Sequence, residues 1–110
     1  MPSLLLIDGD RNFREALAIA LRLDGCQVSG LSSADDGLAA LGQGGFDLCV
    51  VDWHLGGAER FLKAALASPV RVVLTGPHAD LLERASRRFP GAQVLPKPFA
   101  ARELLARLAA

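Results

Sequence analysis

Four residues have the types and the spacing to do chemistry together. Leu4-Leu5-Leu6-Ile7 leads into Asp8, and Leu48-Cys49-Val50-Val51 leads into Asp52. Val72-Val73-Leu74 leads into Thr75, and Val94-Leu95-Pro96 leads into Lys97. Each short apolar run thus ends in a polar group: two carboxylates, a hydroxyl and an ammonium. Any one of these alone reads as a satisfied polar group or a helix cap. If the four runs lie side by side, all four groups meet. Two close carboxylates repel unless a cation lies between them. A hard cation answers that need, and Mg²⁺ typically takes only one or two carboxylates, completing its shell with water and phosphate oxygens. An aspartate can also attack phosphorus itself and become an aspartyl phosphate. The oxygens of the transferring group then require positive charge and hydrogen-bond donors, which the metal, Lys97 and the Thr75 hydroxyl would supply. Asp52 is the centre of that chemistry.

The elements that must position these groups follow from periodicity. Residues 3–8 form a nearly continuous apolar run, as expected of a strand buried on both faces. Asp10 has the place of an N-cap, and Phe13, Leu17, Ala20 and Leu21 recur on one helical face through residue 23. Gly25 ends this helix, and residues 26–31 read as a second strand of mixed polarity, hence an edge. Ser32-Ser33-Ala34-Asp35-Asp36 signals a second helix, with Leu38 and Leu41 inward and Gly42 to Gly45 closing it. Residues 47–52 repeat the design of the first strand. Beyond the Gly56-Gly57 break, a short helix is expected over 58–67, a strand over 70–75 and a helix over 79–88. A strand over 92–96 and a helix over 100–109 complete the chain. Five βα units in alternation specify a parallel sheet with helices on both faces. Right-handed crossovers suit the flavodoxin-like, doubly wound (βα)5 order 2-1-3-4-5. Ligands in such sheets bind beyond the carboxyl ends of the strands, at the switch point between the first and third, and those strands end in Asp8 and Asp52.

Bulk composition narrows the function classes. The 110 residues fit a single domain spanning 1–110, and 51% hydrophobic content excludes a disordered chain. Twelve basic and twelve acidic residues cancel, so neither a nucleic-acid footprint nor a polybasic membrane signal is present. The apolar start, Leu4 to Ile7, is too short for a signal peptide or a membrane span, and a cytoplasmic location is expected. Cys26 and Cys49 lack partners at metal-ligand spacing and are expected to be buried, reduced thiols.

With those motifs in hand, the sequence resembles the receiver domain of bacterial two-component response regulators. The matching segments are Leu4-Leu5-Leu6-Ile7-Asp8, Asp47-Leu48-Cys49-Val50-Val51-Asp52, Val72-Val73-Leu74-Thr75 and Leu95-Pro96-Lys97-Pro98-Phe99, in family order over essentially the whole chain. The resemblance implies a phosphorylation switch rather than an enzyme, one that at most catalyses its own phosphoryl transfer and dephosphorylation. It makes Asp52 the phosphoacceptor, supplied by a sensor histidine kinase or a phosphotransfer protein. It makes Asp8, Asp52 and the backbone carbonyl of His54 the Mg²⁺ ligands. Thr75 would follow the phosphoryl group, Lys97 would pair with it, and the Lys97–Pro98 bond would be cis. A downstream protein would dock on the face made by the fourth helix, fifth strand and last helix, and a homodimer is compatible with the family.

Three departures qualify these expectations. Gly9 stands where the family usually has a second acidic residue, so metal binding should be weakened, and Asp10 next to it is expected to point elsewhere as a cap. Val94 stands where the family usually has Tyr or Phe, so output should run through loop and helix shifts. The stretch from Asp52 to Thr75 is short, with Leu55-Gly56-Gly57 replacing the usual loop and the third helix cut down. These departures motivate the alternative of a pseudo-receiver, an interaction domain that works without phosphorylation. Other residues carry less. Trp53 either gates the acceptor or packs on the loop. His54 and His78 read as surface histidines, and Arg84, Arg87 and Arg88 make the fourth helix basic. Gly42, Gly44 and Gly45 lack the lysine and context of a phosphate loop.

Overall fold

The computed structural model describes residues 1–108. Five strands alternate with helices: β1 (Ser3–Ile7), α1 (Arg11–Leu23), β2 (Gln27–Leu31), α2 (Ala34–Gln43), β3 (Leu48–Asp52), α3 (Ala58–Leu66), β4 (Arg71–Gly76), α4 (Ala79–Arg88), β5 (Ala92–Pro96) and α5 (Ala101–Leu105). All strand pairs are parallel, in the order β2-β1-β3-β4-β5. This is the expected doubly wound sheet.

The apolar runs are continuous because both faces of the central strands are covered. Successive side chains alternate in direction. Leu4, Leu6, Leu48, Val50 and Val73 meet Leu17 and Leu21 of α1 and Leu104 of α5. Leu5, Ile7, Cys49, Val51, Val72 and Leu74 meet Phe61, Leu62 and Ala65 of α3 together with Leu82 and Ala85 of α4. β2 carries mostly exposed and half-buried residues, as an edge strand does.

The caps follow the sequence. Asp10 Oδ1 accepts from the Phe13 N–H at 3.1 Å, and Ser33 Oγ accepts from the Asp36 N–H at 3.1 Å. At the end of α2, Gly44 adopts φ +76°, a conformation glycine takes without steric cost. Gly37 is buried, and a Cβ there would collide with Ile7 Cδ1 and press within 3.2 Å of Phe61 Cε1. It lets α2 approach the sheet, a packing role the helical pattern did not reveal. The last helix differs from expectation. Its α-helical part is only Ala101–Leu105, and a 3₁₀ turn over Ala106–Leu108 follows. Three carbonyl bonds accompany this tightening: Arg71 and Gln93 side chains donate to the Arg107 carbonyl, and Arg107 donates to that of Val94. The end expected at position 109 lies outside the described residues.

Both cysteines are buried free thiols, as anticipated. Burial pushes the Cys49 thiol from its ordinary 9.0 up to about 12. The unfolded chain therefore loses this proton first as pH rises. Stability should fall above the unfolded value by about 1.4 kcal/mol per pH unit until the folded thiol ionises. Urea midpoints measured between about pH 8 and pH 10 should show this slope in the native protein and its loss in Cys49→Ala. Parallel curves for the two proteins would contradict it.

Candidate functional site at the carboxyl edge of the sheet

The strand register assembles the site. Ile7 pairs with Val51 and Asp52 with Thr75, so Asp8, Asp52 and Thr75 leave three neighbouring strands at the same level. Thr75 in turn pairs with Leu95 of β5, two residues before Lys97. The backbone ties the edge together: Trp53 N–H donates to the Thr75 carbonyl at 2.9 Å, and Lys97 N–H donates to the Gly76 carbonyl at 2.8 Å. The Lys97–Pro98 peptide is cis.

Asp8 and Thr75 are the two fully buried polar residues among those described. Asp8 Oδ1 accepts from the Asp10 N–H at 2.9 Å, and Asp8 Oδ2 lies 2.9 Å from Lys97 Nζ. That second contact is an ion pair without hydrogen-bond geometry, since Oδ2 forms no hydrogen bond. Thr75 Oγ1 is buried without any hydrogen-bond partner among the protein atoms. Unpaired buried hydroxyls are costly and call for an explanation. Asp52 by contrast is half-exposed, and its Oδ1 accepts from the His54 N–H at 3.0 Å. Lys97 forms no ion pair with Asp52; its ammonium rests on Asp8.

No group of three or more acidic, histidine or cysteine side chains suited to a metal occurs among the described residues. The donors at the edge are two carboxylates and main-chain carbonyls, all oxygen, which suits a hard cation that keeps several waters. Gly9 is exposed, and a Cβ there would stand 3.4 Å from Leu55 Cδ1. Asp10 is engaged as the cap of α1. Val94 is half-buried and packs with the α2–α4 side of the core.

Trp53 packs edge-on against Phe89, just past the end of α4, at 6.2 Å, a partner outside its own loop. Arg88 lies over the Phe89 ring at 4.9 Å and pairs with Glu59 at 3.0 Å. The Arg88 hydrogen bond is the main reason the Glu59 carboxyl is held below its ordinary value, with Lys63 assisting. His54 and His78 are exposed, their rings stacked edge-to-face at 5.5 Å. Sequence reasoning overlooked two residues of α1. Arg14 donates through Nη1 to the Asp8 carbonyl at 2.7 Å, and the Phe13 ring lies 4.1 Å from Lys97 Nζ. In the sequence, Phe13 reads only as part of the apolar stripe of its helix.

Known proteins resemble the chain in sequence and in fold. No protein-family model matches the chain. A response regulator receiver protein of Anaeromyxobacter sp. (strain Fw109-5) is 34% identical over 106 residues, covering 92% of this chain and 44% of that protein. The C4-dicarboxylate transport transcriptional regulatory protein DctD of Rhizobium meliloti (strain 1021) is 32% identical over 109 residues, covering 94% of this chain and 24% of DctD. The chain is a response-regulator receiver domain. A CheY-like receiver domain protein from Methanospirillum hungatei JF-1 has the same fold, with TM-score 0.85 at 24% identity over 99% of this chain and 91% of that one. This receiver domain spans about a quarter to a half of the length of the curated relatives it matches. Receiver domains are signalling parts of two-component systems rather than classical enzymes. No helix among the described residues is long and apolar enough to cross a membrane.

Proposed function

We propose that this receiver domain accepts a phosphoryl group on Asp52 from a phosphohistidine of a sensor histidine kinase or phosphotransfer protein. The observation that carries the reading is the orphaned Thr75 hydroxyl, buried on the strand beside the accessible Asp52 carboxylate. A phosphoryl oxygen on Asp52 is an acceptor that this donor lacks in the resting protein. In the transfer, an Asp52 carboxylate oxygen attacks phosphorus, the P–N bond breaks, and the imidazole leaves with the bonding pair. Lys97 moves from Asp8 toward the new negative charge, and the Thr75 hydroxyl donates to it. Asp8, Asp52 and the His54 carbonyl would hold Mg²⁺, which offsets the charge on the phosphoryl oxygens when bound. The missing acid at Gly9 makes that binding weak.

Output reaches a downstream protein through the α4–β5–α5 face, in the cytoplasm. Val94 has no ring to swing inward, so the change travels as movement of Thr75, the β4–α4 loop and α4. Incubation with acetyl phosphate and Mg²⁺ should raise the intact mass by one phosphoryl group, and Asp52→Asn should abolish the gain. A native protein whose mass never changes, under acetyl phosphate or a phosphorylated kinase, would overturn the reading and leave an interaction domain.

A further inference from the structure

The Lys97 ammonium has two attractive neighbours, and one of them is unaccounted for by the phosphorylation chemistry. Asp8 Oδ2 lies at 2.9 Å, while the face of the Phe13 ring lies at 4.1 Å. Ring faces carry negative charge density, and an ammonium within about 6 Å of the centroid is attracted to it. The Phe13 ring is itself fixed, edge-on to Phe99 at 5.6 Å and 76°. Phe99 belongs to the same β5–α5 connection that carries Lys97, so the ring and the lysine approach α1 together. Both attractions draw the ammonium toward the β1–α1 side of the site. Gly9 leaves β1 with one carboxylate at this edge instead of two, and the ring supplies the second pull on the cation.

We propose that Phe13 is a positioning residue that holds Lys97 on Asp8 in the unphosphorylated domain. It thereby sets how strongly the lysine competes with a divalent cation for Asp8. This second consequence rests on the metal reading given above; the first does not. Phe13 touches neither the phosphoryl group nor the acceptor and acts only through Lys97.

Two readouts separate positioning from plain packing. The chain has only two lysines, Lys63 and Lys97, so the Lys97 ε-methylene protons are readily assigned by NMR. The aromatic ring current should move them upfield in the native protein and in Phe13→Tyr, and the shift should vanish in Phe13→Leu. Mg²⁺, followed through Trp53 fluorescence, should bind about threefold tighter in Phe13→Leu (about 0.7 kcal/mol at 1.4 kcal/mol per decade) and unchanged in Phe13→Tyr. Should Phe13→Leu fail to fold, Phe13→Met keeps most of the volume without a ring and decides the same comparison. Lys97 protons that are alike in the native protein and the ringless variant overturn the proposal. So does an equal change in Mg²⁺ affinity for the leucine and tyrosine variants. If the native protein binds no Mg²⁺ at all, the metal reading fails, and the NMR comparison alone decides whether Phe13 holds the lysine.

Discussion

Replacing Lys97 by methionine should destabilise the fold by about 3 kcal/mol, the lower end of the cost of breaking a buried ion pair. The substitution leaves the fully buried Asp8 with the Asp10 amide as its remaining side-chain partner. The methionine roughly conserves the length of the stem, so lost packing adds little. The lower end applies because the lysine side chain is 19% exposed, which lets solvent reach the pair from one side. The second half of the cycle is the sharper test. Asp8→Asn combined with Lys97→Met removes both charges and should recover most of the loss. Urea unfolding at neutral pH measures both proteins. A single variant that loses less than about 0.5 kcal/mol, the scale of an exposed pair, would mean that the Asp8–Lys97 contact is effectively solvated. On the proposed function, the same substitution should also slow phosphoryl transfer, because the cation that would pair with the phosphoryl group is gone.

Gly9→Asp should strengthen Mg²⁺ binding at least tenfold. The physical case is Coulombic: a unit charge and a divalent ion about 5 Å apart attract by several kcal/mol even at an effective dielectric of 20. Solvation of the new carboxylate offsets part of this, and a tenfold gain needs only about 1.4 kcal/mol. The backbone permits the change. Gly9 is not among the glycines with positive φ, and its Cβ would meet Leu55 Cδ1 at an acceptable 3.4 Å. Asp10 does not substitute for the missing acid, since its Oδ1 caps α1. Without metal the same variant should be slightly less stable, because a further carboxylate joins Asp8 and Asp52. Trp53 fluorescence titrations of the two proteins compare the affinities directly. Equal affinities would show that position 9 does not face the ion.

These two substitutions probe the parts of the site that were readable to different degrees. The alternation of apolar runs and amphipathic stretches determined the element order by itself, because continuous apolar strands are stable only between two helical layers. Asp8, Asp52, Thr75 and Lys97 were legible for the same reason: a polar group that ends a buried run can only emerge at the sheet's edge. The cap at Asp10 was equally local, requiring one side chain and the amide three residues on.

Contacts between distant segments were not legible. The α5 boundary shifted because Arg71 and Gln93, from two different strands, bind the Arg107 carbonyl and favour a 3₁₀ turn. Gly37 gives no signal in the pattern of α2, and only the folded chain brings Ile7 and Phe61 into the space beside it. The packing partner of Trp53 is Phe89, just past the end of α4, and no spacing in the sequence points to it. The resting place of Lys97 is the most consequential case. Spacing brought the lysine to the edge, but whether it rests on Asp8 or on Asp52 depends on the competing charges, the burial and the Phe13 ring that surround it. The order of the strands is a one-dimensional property that periodicity records. The direction of a long, flexible side chain is set by neighbours that only the folded chain assembles.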